Sequence, residues 1–310
     1  MWFKNLYLLQ FSSEFTLSPE ELHEALESRP FQGCGKEQRE NSGWTSPFGR
    51  NSDQLVHAAN GYLLLTLGHQ ERMLPASVIR EELDATVAEI EEKEGRKIGK
   101  REKQDLRDEI EFELLPQAFT RTKKIDAWID PQHGWMVINT SSNTQGERLT
   151  HLLRSTIGSL PVVPPKTDSS PASLMTQWLA DESSLPAPFA LGEDCELRSQ
   201  GEEQSVAVFK RHELTAEEVQ ANLAAGKMVS KLGLVWDEKI SFILGDDLGI
   251  RRVRFLDVLE ESLKDADPQS HAEKLDIEFA LMTGEVSRML ADLMRCFNGE
   301  EVADSSTEPA

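Results

Sequence analysis

Positive charge is scarce in this sequence. Its 33 Lys and Arg face 54 Asp and Glu, a formal net charge of -21. Averaged over its surface, such a protein repels polyanions, although binding follows the local field within a Debye length of roughly 8 Å. Cysteine is scarce too. Cys34, Cys195 and Cys296 are odd in number and far apart. They form no CxxC and no Cys/His pattern, which argues against a disulfide framework or a zinc site and for free thiols in a reducing compartment. No apolar run approaches the ~20 residues of a membrane span. The opening MWFKNLYLLQF is apolar but lacks the basic start and small-residue cleavage site of a secretory signal, so a cytoplasmic location is expected. Familiar catalytic signatures are also missing: there is no GxSxG, P-loop, HExxH or GxGxxG, and the seven His pair with no Cys or Asp at ligand spacing. His57 reads as structural and Asp246-Asp247 as a turn. No cofactor, metal or catalytic residue is expected.

What is present is organised. A chain of 310 residues buries a sizeable core and usually forms more than one unit. Residues 2–12 predict a strand with Phe3, Leu6, Leu8 and Phe11 apolar. Ser18, Pro19 and Glu21 form a capping box ahead of a helix carrying Leu22, Ala25 and Leu26. Asn60-Gly61, between the apolar runs of LVHAANGYLLLTL, predicts a tight hairpin. Pro75 opens a helix with Val78, Ile79, Leu83, Val87 and Ile90 at helical spacing. After the charged bend EEKEGRKIGKREK, a second helix over 100–115 carries Leu106, Ile110 and Leu114. Two helices alone bury little, so this arm must pack on something else or on a partner. IDAWID and GWMVINT predict short strands around a turn at 130–134, followed by a helix over 144–157. Pro164-Pro165 ends that unit, and 166–173 reads as a linker. A helix over 173–182, a strand over 204–211 and a helix boxed by Thr215 and Glu218 come next. Strands near 228–236, 239–245 and 250–256 and a helix over 271–297 complete the pattern. The expected fold class is α+β with mixed sheets. A central α/β unit spans 1–74 and 117–165, a projecting helical-hairpin arm 75–116, and a C-terminal α+β unit with basic strands 173–298. The acidic tail 299–310 is expected to be disordered.

The few cations are gathered locally, in TRTKK (120–124), VFKRHE (208–213) and GIRRVRF (249–255). In a strand over 250–255, alternation places Ile250, Arg252 and Arg254 on one face and Arg251, Val253 and Phe255 on the other. Lys210 and Arg211 point oppositely unless their strand ends there. Lys227, Val229, Lys231 and Gly233 share a face. Lys210, Arg211, Lys227, Lys231, Arg252 and Arg254 are therefore candidate phosphate contacts, with Arg121, Lys123 and Lys124 beside the arm. A solvated, salt-bridged surface accounts for the same residues, and an acidic protein-interaction scaffold is then the alternative function. Phe119 is either a core residue beneath the arm or an aromatic anchor at a subunit contact.

Eight ordered segments carry a likeness: MWFKNLYLLQF, GWTSPFG, LVHAANG, LLPQAF, LRSTIGSLPVVP, LTAEE, AGKMVSKLGLVW and ALMTGE. In this order the chain resembles the RdgC family of bacterial recombination-associated proteins, leaving out only the tail. The resemblance implies a head-to-head, tail-to-tail homodimer closed into a ring. Double-stranded DNA would pass through a basic hole with little sequence preference. It also implies nucleoid association and restraint of the RecA recombinase by occupancy of DNA. Phe119 in LLPQAF then corresponds to an aromatic dimer gate, beside Gln117, where relatives can carry a base. Lys210 and Arg211 correspond to the family's basic pair before the LTAEE helix. Lys227, Lys231, Arg252 and Arg254 rest on strand alternation alone.

Overall fold

The computed structural model describes residues 2–49, 52–201, 205–256 and 270–298. The expected tail at 299–310 lies outside the described residues. Along the first half run β1 (Asn5–Phe11), α1 (Pro19–Glu27), β2 (Glu40–Thr45), β3 (Val56–Ala59), β4 (Tyr62–Met73), α2 (Ala76–Glu94), α3 (Lys100–Leu114), β5 (Phe119–Asp130), β6 (Trp135–Ile138), α4 (Asn143–Ile157) and β7 (Val162–Val163). Then follow α5 (Pro171–Ala180), β8 (Phe189–Arg198), β9 (Val206–Phe209), α6 (Glu217–Ala224), β10 (Met228–Trp236), β11 (Ile240–Gly245), β12 (Ile250–Phe255) and α7 (His271–Asn298). The strands form one sheet in the order β2-β4-β5-β6-β1-β12-β11-β10-β8-β9, with β3 on β4 and β7 on β1. The fold is thus α+β, as expected, but its strands make one antiparallel sheet rather than several mixed ones. The two halves join where Asn5 and Leu6 of β1 pair with Arg251 and Ile250 of β12.

Alternation along the strands creates two cores. On one face, Leu65, Leu67, Ile125 and Ala127 meet Leu22 and Leu26 of α1 and Leu149 and Leu153 of α4. On the other, Leu232, Leu234, Leu244 and Ile250 meet Trp178 of α5 and Phe279, Leu290 and Phe297 of α7. That second core runs across the β1–β12 junction to Leu6, Leu8, Leu64 and Trp128. Each such side chain, when fully buried, contributes roughly 1.5–3 kcal/mol of transfer free energy, so the junction is held by packing more than by its short ladder.

The elements expected from local chemistry form as expected. Ser18 Oγ accepts from Glu21 N at 3.1 Å while Glu21 Oε2 accepts from Ser18 N at 2.9 Å, the reciprocal box expected. Asn60 and Gly61 have φ of 50° and 83°, as a two-residue hairpin turn requires. Other expectations need correction. The helix after LTAEE has no side-chain cap: its N-cap is Ala216, and Thr215 donates instead to the Glu213 carboxylate. The short strand expected at IDAWID is the end of the twelve-residue β5, which takes in TRTKK because its ladder with β4 continues to Met73–Phe119. Within the arm, Ile79, Val87 and Ile110 are buried, but Val78 is exposed. Gly95 ends α2 in the left-handed region and donates to Glu91 O at 3.0 Å. The arm's root is tied by Arg72, which donates to the carbonyls of Pro116 and Ala118, and by the Arg39–Glu111 ion pair. Three strands, β2, β7 and β8, had no counterpart among the elements expected from the sequence.

Candidate nucleic-acid interface

The five strands β12, β11, β10, β8 and β9 carry α5 and α7 on one face only. The other face is open and forms a cleft of about 710 Å³ whose rim carries Lys210, Arg211, Arg252 and Arg254. Its floor is low because two glycines meet there: a Cβ on Gly233 would lie 3.0 Å from Asp194 O, and one on Gly192 would lie 3.0 Å from the Gly233 carbonyl carbon.

The arginines reach the cleft by a route different from simple alternation. Ser241 pairs with Arg254 but Ile243 pairs with Arg251, so Arg252 and Val253 stand opposite Phe242 alone. This is a β-bulge, and Arg252 takes a left-handed φ of 54° within it. Consequently Ile250 and Val253 are both buried, and Arg252 and Arg254 are both exposed. The expectation that Ile250 shares a face with these arginines is corrected: the extra residue flips the phase between them. Arg251 is held elsewhere, with Nη1 donating to Asp247 Oδ1 at 3.0 Å. That hydrogen bond keeps the Asp247 carboxyl below its ordinary range and raises the Arg251 guanidinium. Asp247 also accepts from Gly249 N at 3.0 Å, which fits the turn expected at Asp246-Asp247.

Lys210 and Arg211 come together because β9 stops at Phe209. Arg211 has φ 50°, and its backbone N–H donates to Asp194 Oδ1 at 3.2 Å. Two acids, Glu193 and Asp194, also line the cleft. They neutralise it only in part. Arg252 Nη1 is 3.7 Å from Asp194 Oδ2, and Lys210, Arg211 and Arg254 have no ion pair among the described residues.

Lys227 and Lys231 do not line this cleft. The ladder of β10 with β8 shifts between Val229 and Lys231, so Val229 is buried and shares no face with Lys231. Lys227 Nζ donates to Asn222 Oδ1 at 2.8 Å. Lys231 Nζ donates to Glu196 Oε2 at 2.7 Å. Burial pushes the Glu196 carboxyl up, but donors from Lys231, Ser230 and Arg198 overcome this and bring it to about 2. Lys231 is therefore an ion-pair partner in a structural network.

Arg121, Lys123 and Lys124 lie on β5, three places from β12 in the sheet order. Lys123 is 3.1 Å from Glu71, and Arg121 stands opposite Glu71 in the ladder. Lys124 points to the other face, opposite Gly68. Phe119 is 86% exposed beside Met73 at 52%, so of its two readings the core one fails. Gln117 is exposed one turn earlier. The residues that sequence reasoning missed are those of β8, which supplies Gly192, Glu193 and Asp194. Its interrupted apolar pattern around LGEDC hid the strand, and Gly192 alone hinted at a close backbone approach. Among the described residues no group of three or more His, Cys, Asp or Glu could hold a metal, and no helix is long and apolar enough to cross a membrane.

Known proteins are similar to this chain over nearly its whole length. A family model described as "Putative exonuclease, RdgC" matches residues 1–300. A protein of Tolumonas auensis named "Recombination-associated protein RdgC" is 38% identical over 97% of this chain and 99% of its own. Proteins of the same name from Aeromonas hydrophila subsp. hydrophila and Colwellia psychrerythraea are each 40% identical, over 97% and 96% of this chain and 99% and 97% of their own. With the family model matching residues 1–300 and these relatives matching 96–97% of the chain, this chain belongs to the RdgC family, whose curated relatives are recombination-associated proteins.

Proposed function

We propose that the protein binds duplex DNA without sequence preference, as a homodimer closed into a ring, and restrains the RecA recombinase by occupying its substrate. The observation that carries this reading is the cleft. Four cations from two distant segments converge on one open face of a chain with net charge -21, and three have no ion pair among the described residues. Cations held in this way on an acidic protein are suited to a polyanion backbone. The cleft offers exposed cationic side chains and a glycine floor, a surface for phosphates and not a recognition element for base edges.

In this reading the unit over 173–298 carries the main phosphate contacts, and the arm over 75–116 with Phe119 and Gln117 lies at one dimer contact. Arg121 and Lys123, which share one face of β5, extend the basic track, and Lys124 on the opposite face does not. The protein acts without metal or cofactor and resides on the nucleoid. A gel shift on random duplexes at two salt concentrations tests it: several sequences should bind equally, and binding should weaken steeply with salt. Equal affinity at both salt concentrations, or a strong preference for one sequence, refutes it. Incubating the same duplexes with Mg2+ or Mn2+ tests the exonuclease of the family description. Cleavage that a chelator abolishes would refute simple occupancy.

A further inference from the structure

Two of the four cleft cations share one anchor, Asp194. Leu232 of β10 pairs with Cys195 of β8, but Leu234 pairs with Leu191, so Gly192, Glu193 and Asp194 stand against Gly233 alone. The surplus residues bulge out of the ladder, and Gly233, lacking a Cβ, lets the Asp194 backbone lie against it. Both carboxylate oxygens of Asp194 are then used. Oδ1 accepts from Arg211 N at 3.2 Å, and beside it His212 N donates to Glu193 O at 3.0 Å. These bonds hold the turn in which Arg211 takes its left-handed φ. Oδ2 lies 3.7 Å from Arg252 Nη1. Arg252 belongs to β12, three places from β8 in the strand order. At the usual strand spacing that is about 14 Å, so the guanidinium reaches over β11 and β10 to meet Asp194. The pair lies across the cleft like a strap.

We infer that Asp194 is the cleft's built-in stand-in for a phosphate. It seats Arg211 through Oδ1 and holds Arg252 through Oδ2 until a phosphate takes that guanidinium over. This rests on the phosphate-binding reading of the cleft given above. The exchange is easy in one direction. The Arg252 and Asp194 side chains are 59% and 30% exposed and their charged atoms are further apart than a hydrogen bond, so the pair itself contributes little. A phosphate can accept two short, charge-assisted bonds from the same guanidinium. The displaced carboxylate stays in the cleft and draws a cation from solution, which partly offsets the counterions released by the nucleic acid. Asp194 therefore sets a threshold. A single carboxylate from another acidic surface offers Arg252 only what Asp194 already supplies within the chain. A nucleic-acid backbone offers several phosphates to Lys210, Arg211, Arg252 and Arg254 at once. In a chain with net charge -21, this keeps the cleft closed to the acidic surfaces of other copies and open to a polyphosphate.

Duplex affinities of Asp194→Asn, Asp194→Ala and Glu193→Gln, with Asp194→Asn repeated in an Arg252→Ala background, test this by anisotropy at several salt concentrations. Asparagine keeps an oxygen for Arg211 N and removes the charge. Asp194→Asn should tighten binding about threefold or more and steepen the log–log salt slope, by less than the ~0.9 of a whole phosphate contact. Glu193 carries the same charge in the cleft wall but holds no cation among the described residues, so Glu193→Gln should gain less. Without Arg252, the gain from Asp194→Asn should shrink to that of Glu193→Gln, the signature of a residue acting through its partner. Asp194→Ala, which also loses the acceptor, should bind more weakly than Asp194→Asn. The inference is overturned if Asp194→Asn binds no tighter than the parent, gains no more than Glu193→Gln, or keeps its full gain without Arg252. Equal binding by the Ala and Asn variants overturns the seating of Arg211. In each case salt-dependent duplex binding by the parent leaves the phosphate reading of the cleft standing. A parent that binds no duplex overturns both.

Discussion

Arg254→Ala separates a phosphate contact from a structural cation. Arg254 is exposed, lines the cleft and has no ion pair among the described residues. Its truncation should leave the melting temperature within error. If Lys210, Arg211, Arg252 and Arg254 each neutralise one phosphate, their joint contribution to the log–log salt slope is about -3.6 per protomer. Between about 50 and 200 mM salt, that contribution weakens binding roughly 150-fold. Removing one contact leaves a slope of about -2.7 and a loss of roughly 40-fold over the same range. Lys231→Ala is the control. It strips a donor from Glu196, whose carboxyl sits at about 2, so stability should fall while the slope stays. Fluorescence anisotropy on one labelled duplex gives the slopes, and thermal melting gives the stabilities. If Arg254→Ala leaves the slope unchanged, or Lys231→Ala flattens it equally, the cleft is not the phosphate site.

Phe119→Ala should weaken self-association in sedimentation without lowering the melting temperature, because the ring is 86% exposed and supports no core. Gly43→Ala should destabilise by about 1–3 kcal/mol in denaturant unfolding, since its Cβ would fall 2.6 Å from the Phe31 Cα and backbone moves poorly. Burial holds the His57 imidazole below its ordinary pKa, against the pull of Asp276 at 3.1 Å. The unfolded chain therefore binds that proton more readily, so stability present above about pH 6.5 is lost as the pH falls below it. His57→Gln should flatten the difference in unfolding free energy between pH 7.5 and pH 5.5, and an unaltered difference would contradict the burial argument. Glu196→Gln should remove a stabilisation that in the parent is present above the ordinary glutamate pKa and lost as pH falls toward about 2.

Much of the fold was legible because its determinants are short-range. The Ser18 box, the Asn60-Gly61 turn, the paired arm helices and the apolar face of α7 are each specified by residues within a few positions of one another. The ordered segments that resemble the RdgC family were legible for a different reason: many weak matches in one order are jointly specific. The LTAEE box shows the limit even of local rules. Thr215 had an alternative acceptor in Glu213, and the helix began one residue later than the motif implied.

Strand phase was not legible. The segment IRRVRF has a perfectly alternating reading, and nothing within it announces the bulge. The bulge follows from registering β12 against both β11 and β1, whose partners lie far away in the chain. The same holds for Lys231, which a shift against β8 sets beside Glu196. β8 itself was invisible because its apolar residues are interrupted by Gly192, Glu193 and Asp194, which make sense only as the floor and wall of a cleft. The sequence by itself determined the family, the helices, the tight turns and the fact that the cations are clustered. Which cations face one another was decided by the tertiary structure alone, because side-chain direction in a sheet flips with every one-residue change of register.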